Sequence, residues 1–207
     1  METRLAYLDV YLELPDEMLE QARALNRRIV SSAGGGVDFG AGRIPHITLY
    51  MGLFPETERA SLVRELKTVA AETAPFPIVL REIETSRDGY VFWKVVADDS
   101  LLCLHERVVT ALNPLRRGAV RDKFLEDQDR FTKDECIYIM KYGFPWVLDR
   151  FRPHVTVGHL GDGAATAADA IQCPEGHGEA ARIALGSVGD HGVILEAGET
   201  FPLAGSR

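Results

Sequence analysis

One pentapeptide pattern occurs twice in this chain and restricts the folds open to it. Pro45-His46-Ile47-Thr48-Leu49 is followed 108 residues later by Pro153-His154-Val155-Thr156-Val157. Each copy continues from a proline into aliphatic or β-branched residues, which predicts a β-strand. Successive strand residues point to opposite faces, so the His and Thr of each copy share a face. The repeat therefore predicts two matching strands, each polar on one side and apolar on the other.

The elements around the two copies also follow a repeated order. The first half predicts a strand at about 5–14, a helix from about 15, the strand at 46–53, a helix at about 56–73 and a hairpin at 78–96. The second half predicts a strand at 91–96, a helix from about 99, the strand from 154, a weaker helix at about 164–172 and a hairpin at 183–195. A repeat this long indicates a duplicated half-domain rather than a solenoid. We expect a single domain over residues 1–207, made of two pseudo-symmetric lobes at about 1–90 and 91–207 whose motif strands meet at a groove.

The two halves differ in the length of chain before the motif. About 41 residues separate the helix from the second motif, against about 14 before the first, so we predict an insertion at about 114–150. Thr132-Lys133-Asp134-Glu135 fits a capping box that opens a short helix there. Aromatic side chains with neighbouring cations can bind a nucleobase and a phosphate. Tyr142 and Trp146 are therefore candidate substrate contacts, although packing of the insertion onto its lobe is the commoner role for such residues.

The composition is that of ordinary globular material with an acidic balance. Apolar residues make up 46% of the chain and charged residues 26%, and no run reaches the roughly 18 apolar residues that a membrane span needs. The first residues carry no signal-peptide pattern, so we expect a cytoplasmic location. The formal net charge of −8 argues against binding along a DNA duplex, where a basic surface supplies the affinity. A short nucleotide held in a local basic pocket remains compatible with that charge.

The residue types in the repeated motif suit phosphodiester chemistry. One neutral imidazole can take a proton from water or a ribose hydroxyl, while the other, protonated, gives one to the leaving oxygen. Both forms coexist near neutrality because the ordinary pKa of histidine is about 6.5. Threonine hydroxyls can hydrogen-bond the non-bridging phosphate oxygens. The sequence therefore predicts His46 and His154 as a catalytic acid–base pair and Thr48 and Thr156 as phosphate-binding residues, with no metal or cofactor. The near symmetry leaves open which histidine is the acid.

A structural explanation has to be weighed against this catalytic one. A single His-x-Thr in a strand is a common coincidence, and its usual explanation is a surface or hydrogen-bonded structural histidine. Two copies with the same preceding proline, the same strand pattern and the same place in each half make coincidence the weaker explanation.

In these motifs the chain resembles the 2H phosphoesterase superfamily, which includes the 2'-5' RNA ligase-like proteins and cyclic phosphodiesterases. The hallmark of that family is a pair of H-x-[ST]-hydrophobic motifs on duplicated lobes, which 46–49 and 154–157 match. The resemblance implies an α+β fold with mostly antiparallel sheets facing across a central groove and helices outside. It also implies hydrolysis or transesterification of 2',3'-cyclic phosphates or 2',5'-linked ribose phosphodiesters. The substrate would be a nucleotide, a short RNA end or a ribose cyclic phosphate.

A second stretch is similar to one branch of that family. Residues 142–152, with the sequence YGFPWVLDRFR, resemble the branch associated with phosphonate breakdown, which implies a ribosyl cyclic phosphate as substrate. Residues 43–50 are less like that branch, so the choice of sub-family stays open.

Several other side chains were candidates for the groove or for the core. Tyr50 is two residues beyond Thr48, so strand alternation places it on the same face as His46 and Thr48. It is a candidate for stacking on a base or ribose, and an aromatic that packs at the edge of the sheet is an equally good explanation. His159 follows His154 by five residues and is predicted on the opposite face. His105, on a helix beside apolar residues, is predicted to be structural, and His177 lies in a glycine-rich stretch predicted as an exposed turn.

The one basic cluster has two possible roles. Arg116, Arg117, Arg121 and Lys123 lie close together in the insertion, and on an acidic protein they could guide an anionic substrate. A solvated loop is the commoner explanation for such a cluster.

Two other function classes compete with the phosphodiesterase. A non-catalytic module that binds RNA ends or nucleotides could use the same groove, but binding alone does not need two histidines. A metal hydrolase would need a convergent ligand set, and the sequence contains neither HExxH nor paired Cys/His spacings; its three cysteines are widely spaced. We expect a metal-independent enzyme that is a monomer.

Overall fold

The protein is described here by a computed structural model that covers residues 4–33, 43–86, 88–160, 173–189 and 192–205. In these ranges the strands are β1 (Leu5–Glu13), β2 (His46–Pro55), β3 (Phe76–Thr85), β4 (Tyr90–Val95), β5 (His154–His159), β6 (Gly176–Ala180), β7 (Arg182–Val188) and β8 (Ile194–Pro202). The α-helices are α1 (Asp16–Ala33), α2 (Arg59–Ala71), α3 (Asp99–Leu112), α4 (Asp122–Glu126) and α5 (Lys133–Tyr142). The predicted helix at about 164–172 lies outside the described residues.

The strands form one antiparallel sheet in the order β6-β3-β4-β5-β2-β1-β7-β8. This confirms the predicted α+β class with antiparallel strands, and the motif strands β2 and β5 are neighbours at the centre. Each flanking set of three strands contains members from both parts of the sequence. β3 lies between β4 and β6, whereas β7 lies between β1 and the edge strand β8. The two halves of the sheet thus have equal numbers of strands. The hairpin β3–β4 joins the half that contains β5, and the late hairpin β7–β8 joins the half that contains β2.

The helices follow the apolar patterns that predict them. In α1 the residues Met18, Ala22, Leu25 and Ile29 recur at helical spacing and are all buried. Asp98 caps α3 by accepting a hydrogen bond from the Leu101 amide. The capping box predicted at Thr132 and Glu135 is present at the start of α5. No helix in the described part of the chain combines the length and apolar character needed to cross a membrane.

Helices α1 and α3 pack across the middle of the sheet. Helix α1 precedes β2 in the chain but packs against β5, and α3 precedes β5 but packs against β2. Gly158 allows the close approach of α1, because a Cβ at this position would lie 2.9 Å from a side-chain carbon of Ile29. Each motif strand is therefore supported by the helix that precedes the other motif.

Each motif strand contains a β-bulge just after its threonine. Along β1 the partner of Tyr11 is Thr48 but the partner of Val10 is Tyr50, which leaves Leu49 as the extra residue. Along β4 the partner of Phe92 is Thr156 but the partner of Val91 is Gly158, which leaves Val157 extra. The bulges occupy corresponding positions of the two motifs, so the duplication extends to the irregularities of the backbone.

Buried polar side chains from the crossing helices hold the carbonyl groups at these bulges. His105 on α3 makes a 2.7 Å hydrogen bond from Nδ1 to the Leu49 carbonyl. Asn26 on α1 donates from Nδ2 to the Val157 carbonyl at 2.9 Å. Both side chains are 1% exposed. A buried carbonyl without a partner would cost stability, so these two residues stabilise the bulges that set the side-chain directions beyond each motif.

One strand was not predicted. Residues Gly176–Ala180 form the edge strand β6 beside β3, where the sequence suggests a turn. Position 176 requires a glycine, because a Cβ at this position would lie 2.7 Å from the buried ring of Trp93. Tight packing and not turn formation thus explains that glycine. The exposure predicted for His177 is confirmed, since its side chain is 59% exposed.

His105 is structural, and its environment makes the stability of the fold pH-dependent. Its ring stacks on Phe151 with centroids 3.7 Å apart, and its Nε2 accepts from the Leu148 amide at 2.7 Å. Since Nδ1 donates and Nε2 accepts, the ring must be neutral. Burial lowers the pKa of His105 from 6.5 to about 4, against the opposing hydrogen bond to the Leu49 carbonyl.

We predict that His105→Phe removes part of the acid sensitivity of folding. The pKa of His105 is lower in the folded than in the unfolded protein, so its stabilisation is present above pH 6.5 and is lost as the pH falls toward 4. This loss amounts to about 3 kcal/mol. Urea unfolding at several pH values between 7 and 4 should show a shallower decline in the variant than in the wild-type protein or in the surface control His177→Ala. Parallel declines would contradict the assignment.

Candidate functional site

The two motifs meet through one residue pair at the centre of the sheet. Ile47 and Val155 are antiparallel partners, and both are fully buried. In an antiparallel pairing, the next positions place His46 toward Thr156 and Thr48 toward His154. The apolar residues of both motifs thus enter the core, and the polar residues share the other face of the sheet, which we call the groove face.

Both histidines are held by the same local device. Nδ1 of His46 lies 2.6 Å from the Ile44 carbonyl, and Nδ1 of His154 lies 2.8 Å from the Arg152 carbonyl. In each case the carbonyl belongs to the residue two positions earlier. A carbonyl only accepts, so Nδ1 carries the hydrogen in both rings. Nε2 is then the nitrogen left for chemistry or for a second partner.

At the first motif that second partner is a buried carboxylate. Nε2 of His46 lies 3.2 Å from Oδ2 of Asp9, and the Thr48 hydroxyl donates to the same oxygen at 2.7 Å. Asp9 lies on β1 and is fully buried, whereas His46 is 8% exposed. Burial raises the pKa of Asp9, and its interactions with His46 and Thr48 act in the opposite direction. No partner for Asp9 Oδ1 is found among the described residues.

At the second motif the surroundings are aromatic. The ring of His154 lies 4.1 Å from that of Phe92, centroid to centroid, and the residue is partly exposed. Burial lowers the pKa of His154, as does the charge of His46, against the hydrogen bond to the Arg152 carbonyl. A neutral imidazole with an Nε2 lone pair is therefore the favoured form near pH 7.

Tyr50 does not lie on the groove face. Its side chain is fully buried, and its hydroxyl donates to the Tyr142 carbonyl at 2.7 Å. The prediction from strand parity was wrong because the bulge at Leu49 turns the next residue to the opposite face. Met51 takes the groove position instead and accepts a 2.6 Å hydrogen bond at its sulfur from the Tyr7 hydroxyl.

The matching bulge at Val157 has the same effect on His159. Val157 and Gly158 are both buried, and the ring of His159 packs against that of Tyr90 with centroids 4.5 Å apart. Tyr90 in turn stacks near Phe92 at 5.9 Å. His159 therefore lies on the same side as His154, and the prediction that it points to the opposite face was wrong.

The insertion covers one end of the groove face through residues other than those predicted. Tyr142 packs against Tyr138, with ring centroids 5.5 Å apart, and Trp146 is 42% exposed and makes an edge contact with Phe144. Phe144 itself packs against the cluster that contains Met51. As substrate contacts Tyr142 and Trp146 stay predictions, and Phe144 is the aromatic that reaches the groove face.

The basic cluster divides into buried and groove-facing members. Arg116 is 1% exposed, because its guanidinium donates to the carbonyls of Ala119 and Lys141 inside the insertion. A solvated loop is thus the wrong explanation for Arg116. The guanidinium of Arg121 lies over the ring of Tyr7, 4.4 Å from its centroid. Tyr7 precedes Asp9 by two residues on β1, so Arg121 brings positive charge to the groove face.

Asp9 is the residue of the candidate site that sequence reasoning missed, whereas Arg121 was considered there only as a member of the basic cluster. The only signal for Asp9 was an acidic residue between Leu8 and Val10 in an otherwise apolar strand. Its partners in the fold come from β2, and no local pattern reports them. Among the described residues, no group of three or more His, Cys, Asp or Glu side chains is arranged to hold a metal ion.

Comparisons with known proteins agree with this architecture. The sequence profile of the 2'-5' RNA ligase superfamily matches residues 14–185. TT0787 of Thermus thermophilus is 20% identical with a TM-score of 0.58, over 97% of this chain and 100% of that chain. LigT of E. coli in its apo form is 15% identical with a TM-score of 0.59, over 97% of this chain and 98% of that chain. No curated protein sequence matches the chain.

At these identities the structural likenesses establish the fold, and the profile match establishes the family. The match includes both His-x-Thr motifs and the insertion between them. It confirms the resemblance drawn from 46–49 and 154–157. The protein belongs to the 2'-5' RNA ligase superfamily of 2H phosphoesterases.

Proposed function

We propose that this protein is a phosphodiesterase that cleaves 2',3'-cyclic phosphates or 2',5'-linked ribose phosphodiesters without a metal ion. The observation that carries the proposal is the pairing of two His-x-Thr strands at Ile47 and Val155. This pairing gives one groove face two imidazoles with Nδ1 anchored on the backbone. A proton donor and a proton acceptor on either side of one phosphorus can catalyse cleavage of a phosphodiester.

The proposed reaction on a cyclic phosphate is a hydrolysis in line at phosphorus. A water oxygen forms a bond to phosphorus while one imidazole takes a water proton at Nε2. The bond from phosphorus to one ribose oxygen breaks, and the other imidazole gives that oxygen its Nε2 proton. The product is a ribose phosphomonoester with one water added, and exchange with solvent restores both histidines. Each proton transfer is worth roughly 10²–10⁴ in rate.

Stabilisation of the phosphate is assigned to the threonines and to one arginine. Thr48 and Thr156 flank the histidines. The Thr156 hydroxyl can donate to a non-bridging oxygen as charge builds up at phosphorus, and the Thr48 hydroxyl can do so only by turning its proton away from Asp9 Oδ2. The guanidinium of Arg121, over Tyr7, adds a positive charge on the same face. A local cation in a protein with net charge −8 favours a small anionic substrate over a long nucleic acid.

Ligands bound by a relative support a nucleotide as the substrate. LigT of E. coli has been crystallised in complexes with 3'-AMP, with ATP and with phosphate. On the groove face of this chain, the ring of Phe92 lies beside the imidazole of His154, and the ring of Tyr90 stacks next to that of Phe92. Rings in this position are suited to stack on a base or ribose.

We predict that His46→Ala and His154→Ala each lower kcat on a 2',3'-cyclic nucleotide by at least about 10²-fold, because each removes one proton transfer. Circular dichroism and thermal unfolding should show that both variants remain folded. His177→Ala, which removes an exposed histidine on β6, serves as the control and should keep full activity. All rates should be unchanged by a chelator.

Three results would contradict the proposed function. Turnover that persists in the double variant would exclude the histidines as the acid and base. Loss of activity in a chelator, regained with a divalent metal, would indicate a metal hydrolase. Tight binding of nucleotides without turnover of any substrate in a panel of cyclic and 2',5'-linked compounds would favour a binding module.

We further predict that Arg121→Gln raises KM for the same substrate roughly 10-fold, since a hydrogen bond to a charged group contributes about 1.5–3 kcal/mol. Because Arg121 is assigned to binding and not to proton transfer, kcat should change less than KM. Arg117→Gln is the matched control, because Arg117 is exposed and pairs with Glu58 at 2.7 Å. Equal KM values for the two variants would remove Arg121 from the site.

A further inference from the structure

We propose that Asp9 is a positioning residue that assigns the roles of the two histidines: its carboxylate holds His46 as the protonated acid and leaves His154 as the base. The proposal rests on the proposed function and deepens it. The sequence alone left the two roles interchangeable, because the two motifs are the same. The structure makes them different through a residue outside either motif and outside the span that the family profile matches.

The geometry of the first motif converges on one atom. Oδ2 of Asp9 lies 3.2 Å from Nε2 of His46 and 2.7 Å from the hydroxyl of Thr48. Nδ1 of His46 already donates to the Ile44 carbonyl. With Nδ1–H committed, a hydrogen bond between Nε2 and Oδ2 needs one further proton between these two atoms. A single proton is therefore stored at the first motif, and the carboxylate keeps it on or beside His46.

No carboxylate occupies the corresponding position of the second motif. The charge of Glu84, on β3 opposite Phe92, raises the pKa of His154, but burial outweighs it, and the Glu84 carboxylate pairs with Lys94 at 3.5 Å. Tyr11 pairs with Thr48 on one side of the sheet, and Phe92 pairs with Thr156 on the other. Asp9 lies two residues before Tyr11, and Tyr90 lies two residues before Phe92. A phenol does not compensate an imidazolium as a carboxylate does, and the ring of Tyr90 is packed against His159. The duplication thus gives a stored proton to one histidine only.

Other titratable groups around His46 do not supply the same interaction. Glu13 is the β1 residue opposite His46, but its carboxylate accepts a 2.6 Å hydrogen bond from Arg182 on β7. Burial raises the pKa of Tyr11 to about 12, so its phenol, 4.9 Å from the His46 ring, stays neutral. Among the described residues, His154 on β5 acts on His46 and Tyr7 on β1 lies near Asp9, with Arg121 from the insertion placed against Tyr7.

Asp9 is also costly to the fold, which favours a functional reason for its presence. It is fully buried, one of its oxygens has no partner among the described residues, and burial raises its pKa. A buried carboxylate that is only partly satisfied destabilises a protein. Sites of this kind are common where activity is retained at the expense of stability.

During turnover the proposed roles keep the proton count balanced. The leaving ribose oxygen replaces Asp9 Oδ2 as the acceptor of the Nε2 proton of His46 and takes it, which leaves Asp9 negative and His46 neutral. The attacking water gives its proton to Nε2 of His154, which becomes positive. Solvent then returns a proton to His46 and removes one from His154, so the cycle closes without another reactant.

The proposal is tested with Asp9→Asn, which keeps the size and shape of the side chain and removes its negative charge. We predict that kcat falls on the order of 10²-fold, as for loss of one acid transfer, with KM nearly unchanged. The alkaline limb of the pH–rate profile should move to lower pH, because the imidazolium loses the carboxylate that favours it. The acid limb reports the base; since burial lowers the pKa of His154, this limb should lie below pH 6.5 in both proteins.

Two controls separate this role from a structural one. Glu13→Gln removes another carboxylate opposite His46 and should leave the alkaline limb in place. Thermal unfolding of Asp9→Asn measures the structural contribution: breaking the pair with His46 lowers the midpoint, whereas removal of the buried charge raises it. A lower midpoint together with an unshifted pH profile would mean that Asp9 is only structural, and an increase in kcat would mean that Asp9 inhibits His46.

A measurement without substrate separates this proposal from the proposed function. In ¹⁵N NMR titrations of the free wild-type protein, Nε2 of His46 should keep its proton to higher pH than Nε2 of His154. Asp9→Asn should narrow this difference, and the effect of burial on His154 should remain. Equal or reversed titrations in the wild-type protein would overturn the role of Asp9 even if cyclic phosphates are cleaved. If His46 keeps its proton to higher pH than His154 but no substrate is turned over, the proposed function is overturned instead. The wild-type titration alone decides the matter if the variant does not fold.

Discussion

The pairing of Ile47 with Val155 at the centre of the sheet is the contact on which the arrangement of the site depends. It joins two strands that are far apart in the sequence and belong to matching halves of the sheet. The polar residues on either side of this pair acquire their common face from it. Buried side chains from the crossing helices, His105 and Asn26, then hold the bulge that follows each motif. The strands that carry the imidazoles are thus fixed by the core, and the carbonyls of Ile44 and Arg152, just before each strand, hold the rings.

The proposed chemistry is not symmetric, although the scaffold is. Both histidines anchor Nδ1 on a backbone carbonyl, so they present the same nitrogen to the groove face. A two-histidine reaction nevertheless needs one protonated and one neutral ring at the same pH. Duplication alone cannot provide this difference, because equal surroundings give equal protonation. Asp9 beside one ring and Phe92 beside the other supply unequal surroundings, and they do so from the flanking strands and not from the motifs.

Local patterns in the sequence predicted most elements and the pair of motifs, because those features depend on neighbours along the chain. The strand β1, the helix α1 and the capping box of α5 follow from alternation, helical spacing and a four-residue signature. Errors arose where distant contacts decide. Regular strand alternation through β2 and β5 does not include a bulge whose carbonyl is hydrogen-bonded by a helix far away in sequence. Tyr50 and His159 were therefore assigned to the wrong faces. Arg116 was expected in solvent because no local signal reveals the buried carbonyls that it binds.

The direct test of the central claim is to follow the phosphorus through one reaction. The wild-type protein is incubated with a 2',3'-cyclic nucleotide in ¹⁸O-labelled water and a chelator, and the product is identified by ³¹P NMR. The account predicts a single phosphomonoester regioisomer with one ¹⁸O bound to phosphorus, and no product from the variant that lacks both His46 and His154. Equal product from that variant, or no product from the wild-type protein until a metal ion is added, would contradict it.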